Sequence, residues 1–403
     1  MKKFRVLATA LAAAAFLGGC GGNEPGNQAP RVAFTQMVNF GDSLSDVGTY
    51  ATTIVAANGG GHYSINGDLS ADGLDHTNWT EYLAAQLQVP QPCAAEVGLD
   101  SVGALAFLAQ TPVDSTTCTS YAQGGSEVTL PFGPSNAFYF TQLGQSSGQL
   151  GQITKPVVDQ ITAYLTVHTA FTSSQIVTVF AGGNDLFVNL ATFQATVAAG
   201  GDPTAAATAA ITAMATAGAQ ESQLVQAQIV ANGATHVVVV NLPDVSLTPL
   251  GLGSGAAGQG LILQMTQAFN AALTTGTTGL PASDSILVVD AFSASEEQAA
   301  NPTQYGLTNV TTPACNLPAA DATPLPASPG QTGLTIPGVG WIPIASSLFC
   351  TQATLITDTA NVTPTDPNGV LHYEYADTVH PTPYGYRLLA ELVGEQMAIK
   401  GWL

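Results

Sequence analysis

The stretch Met37-Val38-Asn39-Phe40-Gly41-Asp42-Ser43-Leu44-Ser45-Asp46 decides how this chain is read. Its first four residues are a short, mostly apolar run, as expected of a strand buried on both faces of a parallel sheet. Gly41 and Asp42 break the run, and Ser43 follows at what would be the strand's carboxyl end. In open α/β sheets that is the rim where ligands bind. Ser43 is therefore a candidate nucleophile. The residues after it read as a helix start, with Ser45 or Asp46 as the cap. A helix N-terminus there would bring partial positive charge to a developing oxyanion. The competing reading is that Asp42 and Ser43 merely cap a helix.

Three more runs rich in Val or Ile repeat the strand pattern: Ile176–Ala181, His236–Asn241 and Ile286–Asp290. Helical periodicity alternates with them over Thr80–Leu87, Ile153–Leu165, Ala205–Ala231 and Tyr384–Ile399, and Gly233 stands as a stop after the third. This alternation predicts an α/β fold, a three-layer α/β/α sandwich with a mostly parallel central sheet. Ser43, Gly182–Asp185 and Asn241–Asp244 all fall at strand ends and would share one rim. Two stretches break the pattern, 93–133 and 292–372, and are expected to be loop insertions, the second near the active site. No internal repeat suggests a solenoid or propeller.

Serine attack on an ester needs a hydroxyl, an imidazole to take its proton and a carboxylate to hold the imidazole tautomer. Asp377-Thr378-Val379-His380-Pro381 supplies the last two, three positions apart, a spacing that a tight turn can close. The other histidines, His62, His76, His168, His236 and His372, lack an Asp at a persuasive spacing. Gly144-Gln145-Ser146-Ser147-Gly148 matches the G-x-S-x-G pattern and makes Ser146 a rival, with Phe138–Phe140 as its strand. The Gly-rich residues that follow are a poor start for the helix this pattern requires. Asp68-Leu69-Ser70-Ala71-Asp72-Gly73 faintly matches a calcium loop, but Trp79 stands where a bidentate Glu is needed, so it reads as a polar loop.

Two further segments carry a resemblance: Tyr121-Ala122-Gln123-Gly124-Gly125-Ser126 and Ala181-Gly182-Gly183-Asn184-Asp185. With the Ser43 and His380 segments they supply, in order, the four blocks of the GDSL, or SGNH, hydrolase family, which this chain resembles from Phe40 to Leu389. The linking text is also similar, at Asn78–Leu83 and Val238–Pro249. Any one block is weak; four in order are specific. The resemblance implies an ester hydrolase with Ser43 as nucleophile, His380 as base and Asp377 as its orienting partner. It further implies an oxyanion hole from the N–H groups of Ser43 and Gly125 and the amide of Asn184, with Gly124 as the alternative glycine. It calls for no metal and no cofactor. Thr49 departs from the family, which often has Asn there. Tyr63, Asn66 and Trp79 fall where the family walls its cleft.

Residues 1–20 read as an export signal, with Lys2, Lys3 and Arg5 before the apolar run Val6–Phe16. That run is too short to span a bilayer. Leu17-Gly18-Gly19-Cys20 resembles a bacterial lipobox, which implies lipidation of Cys20 and a membrane anchor there. Gly21 in place of Asp implies the outer membrane, by the same resemblance to lipoproteins. An ordinary signal peptide with an incidental Cys is the alternative, with a periplasmic or extracellular product. Residues 21–33 read as a flexible tether and 34–403 as the hydrolase domain. Without the signal, four basic residues face 27 acidic ones, a formal charge of −23. Nucleic acid is excluded as a partner by such a balance.

Cys93, Cys118, Cys315 and Cys350 remain, an even count that implies two disulfides after export. Nearest-neighbour pairing is the favoured of three connectivities. A zinc site is disfavoured because no C-x-x-C pair exists. Within the enzyme class, esterase, lipase, phospholipase, acyltransferase, carbohydrate deacetylase and polyester depolymerase are all compatible with the family, with a small-molecule or lipid ester as substrate. The alternative class is a catalytically silent surface-binding lipoprotein on the same fold.

Overall fold

Runs of β-branched residues build the sheet. In the computed structural model of the protein, which describes residues 32–99, 109–131, 133, 154–277, 283–318, 330–336 and 340–403, four parallel strands line up in sequence order. They are β1 (Gln36–Gly41), β4 (Gln175–Phe180), β5 (Val237–Val240) and β6 (Ile286–Val289). Nearly every residue in them is buried, because helices cover both faces. The signal at 1–20 with Cys20, most of the tether, the apolar run Val102–Leu108 and Ser146 with Phe138–Phe140 lie outside the described residues.

Register shows how the layers form. Phe40 pairs with Val179 and Gly41 with Phe180, so the Phe40 and Phe180 side chains project to opposite faces. Trp79, at the start of α2 (Trp79–Leu87), packs against Phe180. Tyr164, in α3 (Val157–His168), packs against Phe40 on the other face. The last helix, Pro383–Lys400, packs against α2. Helices α4 (Gly183–Ala198), α5 (Pro203–Leu224) and, after the short α6 (Pro249–Gly253), α7 (Gly255–Thr277) pack on one another.

The segment after Ser43 is not the helix expected from sequence. Residues 43–50 form turns, and the first helix after them, α1 (Thr53–Ala57), is one short turn further on. The reason is that both acids bond the backbone locally. Asp42 Oδ1 accepts from Leu44 N, and Asp46 Oδ1 accepts from Gly48 N and Thr49 N. Such Asx contacts compete with helix propagation.

The two insertions are not featureless. The first carries an antiparallel pair, β2 (Glu96–Leu99) with β3 (Gln110–Asp114), and Cys93 is bonded to Cys118. The second carries α8 (Ala291–Ala300) and the hairpin β7 (Gly333–Ile336) with β8 (Gly340–Pro343), and Cys315 is bonded to Cys350. Two disulfides are the mark of a chain that folds in an oxidising compartment. Among the described residues no helix is long and apolar enough to cross a membrane.

Behind the sheet rim lie three buried acids, Glu127, Asp185 and Glu221. Asp185 Oδ2 accepts from Val128 N, but neither oxygen of Glu127 or of Glu221 has a hydrogen-bond partner among the described residues. Burial, and then the neighbouring Asp185, push the Glu127 and Glu221 carboxyls well above the usual range. The fold therefore keeps their protons at pH values where the unfolded chain has lost them. Stability falls as pH rises through that window, by about 1.4 kcal/mol per pH unit for each such group. We expect the melting temperature to drop between pH 5 and pH 8, and Glu221→Gln, which mimics the protonated form, to reduce that slope. An unchanged slope in a thermal-melt series would count against this account.

Candidate active site

Gly41 lets β1 end tightly beside its neighbour. Its φ is +147°, and a Cβ there would sit 2.1 Å from the Phe180 carbonyl oxygen. The backbone then swings over the sheet rim, and Asp42 N donates to Phe180 O at 3.2 Å. Asn78 caps α2 and also donates to Leu44 O at 2.8 Å, tying this loop to the helix start. Ser43 is thereby held at the carboxyl end of the sheet, nearly buried, with its hydroxyl facing an open cleft.

His380 reaches Ser43 from a turn that precedes the last helix. Asp377 Oδ1 accepts from Val379 N and His380 N at 2.9 and 2.8 Å, which closes the turn. The same carboxylate contacts His380 Nδ1 at 2.9 and 2.8 Å through its two oxygens. Asp377 Oδ2 also accepts from Ser347 N, in the second insertion, at 2.8 Å. Burial alone would raise this carboxyl, but the His380 imidazole and the surrounding donors hold it well below the usual range. It is an anion at neutral pH, so Nδ1 carries the ring proton and Nε2 is left as an acceptor. Nε2 lies 2.8 Å from Ser43 Oγ. The Tyr63 ring packs against the imidazole, with centroids 4.9 Å apart.

Gly124 and Gly125 arrive because residues 119–123 run parallel to β1. Tyr121 N donates to Asn39 O and Gln123 N to Gly41 O. The two glycines differ in what their amides do. Gly124 N donates to Asp46 Oδ2 at 2.9 Å, whereas the Gly125 N–H has no acceptor among the described residues. Gly125 adopts φ +88°, a left-handed conformation that favours glycine. Asn184 is the second residue of α4 and donates one Nδ2 hydrogen to Ser126 O at 2.9 Å, which leaves its other hydrogen open. The positive end of a helix is thus present at this site, supplied by α4 rather than by residues after Ser43.

Two cavities meet at Ser43, Asn184 and His380. One passes Tyr50, Tyr63, Gly125 and Ile344. The other is walled mainly by apolar residues, among them Leu242, Val245, Ala291 and Leu392. Tyr63 lines the first, but Asn66 and Trp79 do not line either. Asn66 Nδ2 donates to Ser347 O and Cys350 O and so holds the second insertion in place. Trp79 is core, with its Nε1 donating to Ser45 Oγ. Thr49 Oγ1 donates to Ala122 O. Asp68 bonds Ser70 locally, and among the described residues no cluster of His, Cys, Asp or Glu is arranged to hold a metal ion. Sequence reasoning missed the bridging of two loops by Asp46 and the N–H of Ser347. Asp46 was visible inside the first block, but a backbone amide carries no sequence signal.

A parallel α/β/α sheet with a hydrogen-bonded Ser, His and carboxylate at its carboxyl rim is the architecture of a hydrolase. The family model described as GDSL-like Lipase/Acylhydrolase matches residues 37–393, nearly the whole chain. The protein belongs to the GDSL-like lipase/acylhydrolase family, and so to the hydrolases of ester substrates. No curated protein matches the chain closely enough to count as a relative.

Proposed function

We propose that the protein is a carboxylic-ester hydrolase that works through a serine acyl-enzyme. Ser43 Oγ attacks the acyl carbon as its proton passes to His380 Nε2. Asp377 keeps the proton on Nδ1 and stabilises the imidazolium. The N–H groups of Ser43 and Gly125 and the Asn184 amide receive the oxyanion, and the N-terminus of α4 adds positive potential. Collapse breaks the bond to the alcohol, which leaves with the proton from Nε2. Water then attacks the acyl carbon, Nε2 takes its proton, and the acid and free Ser43 are returned.

The observation that carries this reading is the row Ser43 Oγ, His380 Nε2, Asp377, with both links at 2.8 Å. A fluorophosphonate probe tests it. The wild type should be labelled on Ser43, and Ser43→Ala should stay unlabelled. An unlabelled wild type would favour a silent binding protein instead.

The same proposal takes 34–403 as one hydrolase domain, exported by residues 1–20 and tethered by 21–33 to a lipidated Cys20 at the cell surface. Palmitate fed to cells should label the wild type and not Cys20→Ser. Equal labelling of both, or none, would leave an ordinary secreted enzyme.

A further inference from the structure

Two carboxyls that the mechanism does not use line the apolar cavity beside Ser43 and His380: Asp42, which accepts from Leu44 N, and Glu374. Glu374 stands three residues before Asp377. Its backbone is held on both sides, since its N–H donates to Asn309 O at 2.8 Å and its carbonyl accepts from Thr382 N at 2.9 Å. The side chain has no comparable anchor. Oε2 is buried and has no hydrogen-bond partner among the described residues, and no basic side chain forms an ion pair with it. Oε1 lies 3.1 Å from where a Cβ on Gly385 would sit, and Gly385 lines the same cavity. A larger residue at 385 would crowd this carboxyl.

A buried polar group without a partner is destabilising, and each one in a native structure calls for an explanation. Here the group sits in a substrate-sized space that opens onto the candidate nucleophile. Resting on the ester-hydrolase reading above, we infer that Glu374 is a specificity-determining residue that recognises a hydroxyl on the substrate. The preferred substrates are esters in which one arm is a short hydrocarbon bearing a hydroxyl group.

Size and chemistry both support that class. The cavity measures about 90 Å³. At the ~10–15 Å³ that one water needs, it has room for a chain of roughly six heavy atoms. Its apolar walls suit hydrocarbon, and among the described residues Glu374 is the only ionisable group lining it apart from Asp42 and His380 at the reacting centre and the buried Tyr375. Burial pushes the Glu374 carboxyl up to about 7, so both of its protonation states are populated near neutral pH. A hydroxyl pairs with either state, donating to the carboxylate or accepting from the acid. An ammonium pairs only with the carboxylate, and both charges would have to be desolvated. A plain alkyl arm leaves the carboxyl unpaired, and sites with buried polar groups reject substrates that fail to pair with them.

The test uses the full chain and pH-stat assays on matched esters. Methyl hexanoate is compared with methyl 3-hydroxyhexanoate and methyl 6-hydroxyhexanoate, and hexyl acetate with 6-hydroxyhexyl and 6-aminohexyl acetate. In at least one pair the wild type should favour the hydroxylated ester by about 10-fold or more in kcat/KM. Which pair responds identifies the arm that enters the cavity. Glu374→Leu should speed the plain ester, slow the hydroxylated one and so reverse the preference. Glu374→Gln, which can still donate and accept, should keep the preference. Equal rates within every pair, a stronger preference for the amine, or a preference that survives Glu374→Leu would overturn the inference while leaving the ester-hydrolase reading intact. No turnover of any ester would overturn both.

Discussion

Ser43→Ala should lower kcat on a soluble aryl ester by at least about 10⁴-fold, because it removes the hydroxyl that His380 Nε2 contacts. The melting temperature should stay close to wild type. Among the described residues Ser43 Oγ makes one side-chain hydrogen bond, to His380, and it faces the cleft rather than the core. His380→Ala should cost about as much, and the double variant no more than either alone, since residues that act as a unit are not additive. The assay is steady-state hydrolysis beside a thermal melt of each variant. A Ser43→Ala enzyme that kept wild-type turnover would refute the mechanism outright. A fall in activity matched by a fall in melting temperature would mean that the variant had simply unfolded.

Asp377→Asn should lower kcat by about 10⁴-fold and, unlike Ser43→Ala, should also destabilise the fold. Two effects combine. An amide can present its NH₂ to His380 Nδ1, which forces the ring proton onto Nε2 and removes the acceptor that Ser43 needs. The carboxylate also serves three backbone donors, Ser347 N, Val379 N and His380 N. Whichever way the Asn side chain turns, an NH₂ faces at least one of those N–H groups. A buried donor left unmet costs about 1–3 kcal/mol. Because the wild-type carboxyl is held so low, its contribution is present at neutral pH and is lost only as pH falls below the ordinary carboxylate range toward its folded value. The difference in melting temperature between wild type and Asp377→Asn should therefore be full at pH 7 and shrink in strong acid. A constant difference across that range would show that the carboxylate is not the source of the stability.

Much of the frame was legible in the chain. All four strands of the parallel sheet begin and end within a residue or so of the apolar runs that predicted them. The Ala-rich helix runs from Pro203 to Leu224 and then through a π turn and a 3₁₀ turn to Gly233, which is left-handed. The helix expected from Ile153 starts at Val157 instead, after Pro156, whose backbone is extended. The helix Gly255–Thr277 carries a weak local signal, because Gly255, Gly258 and Gly260 stand at its head. Its buried positions, Leu261, Met265, Phe269 and Leu273, do keep helical spacing. Packing against α5, whose Gly218 admits the Phe269 carbonyl, outweighs the weak local propensity.

By itself, then, the chain determined which segments become the strands of the parallel sheet, which residue types are candidates for the chemistry and how the carboxylate meets the imidazole three positions away. These depend on neighbours within a few residues, where covalent geometry and apolar period do the selecting. Folding alone decided that Gly125 rather than Gly124 keeps an open amide, because Asp46 claims Gly124 from 78 positions away. It likewise decided that α4 supplies the helix terminus, that Ser347 steadies Asp377, that Glu374 shares a cavity with Ser43, and that His380 spans 337 positions to reach the serine. Contacts of that kind are created when layers pack, and no local preference encodes which distant groups will meet.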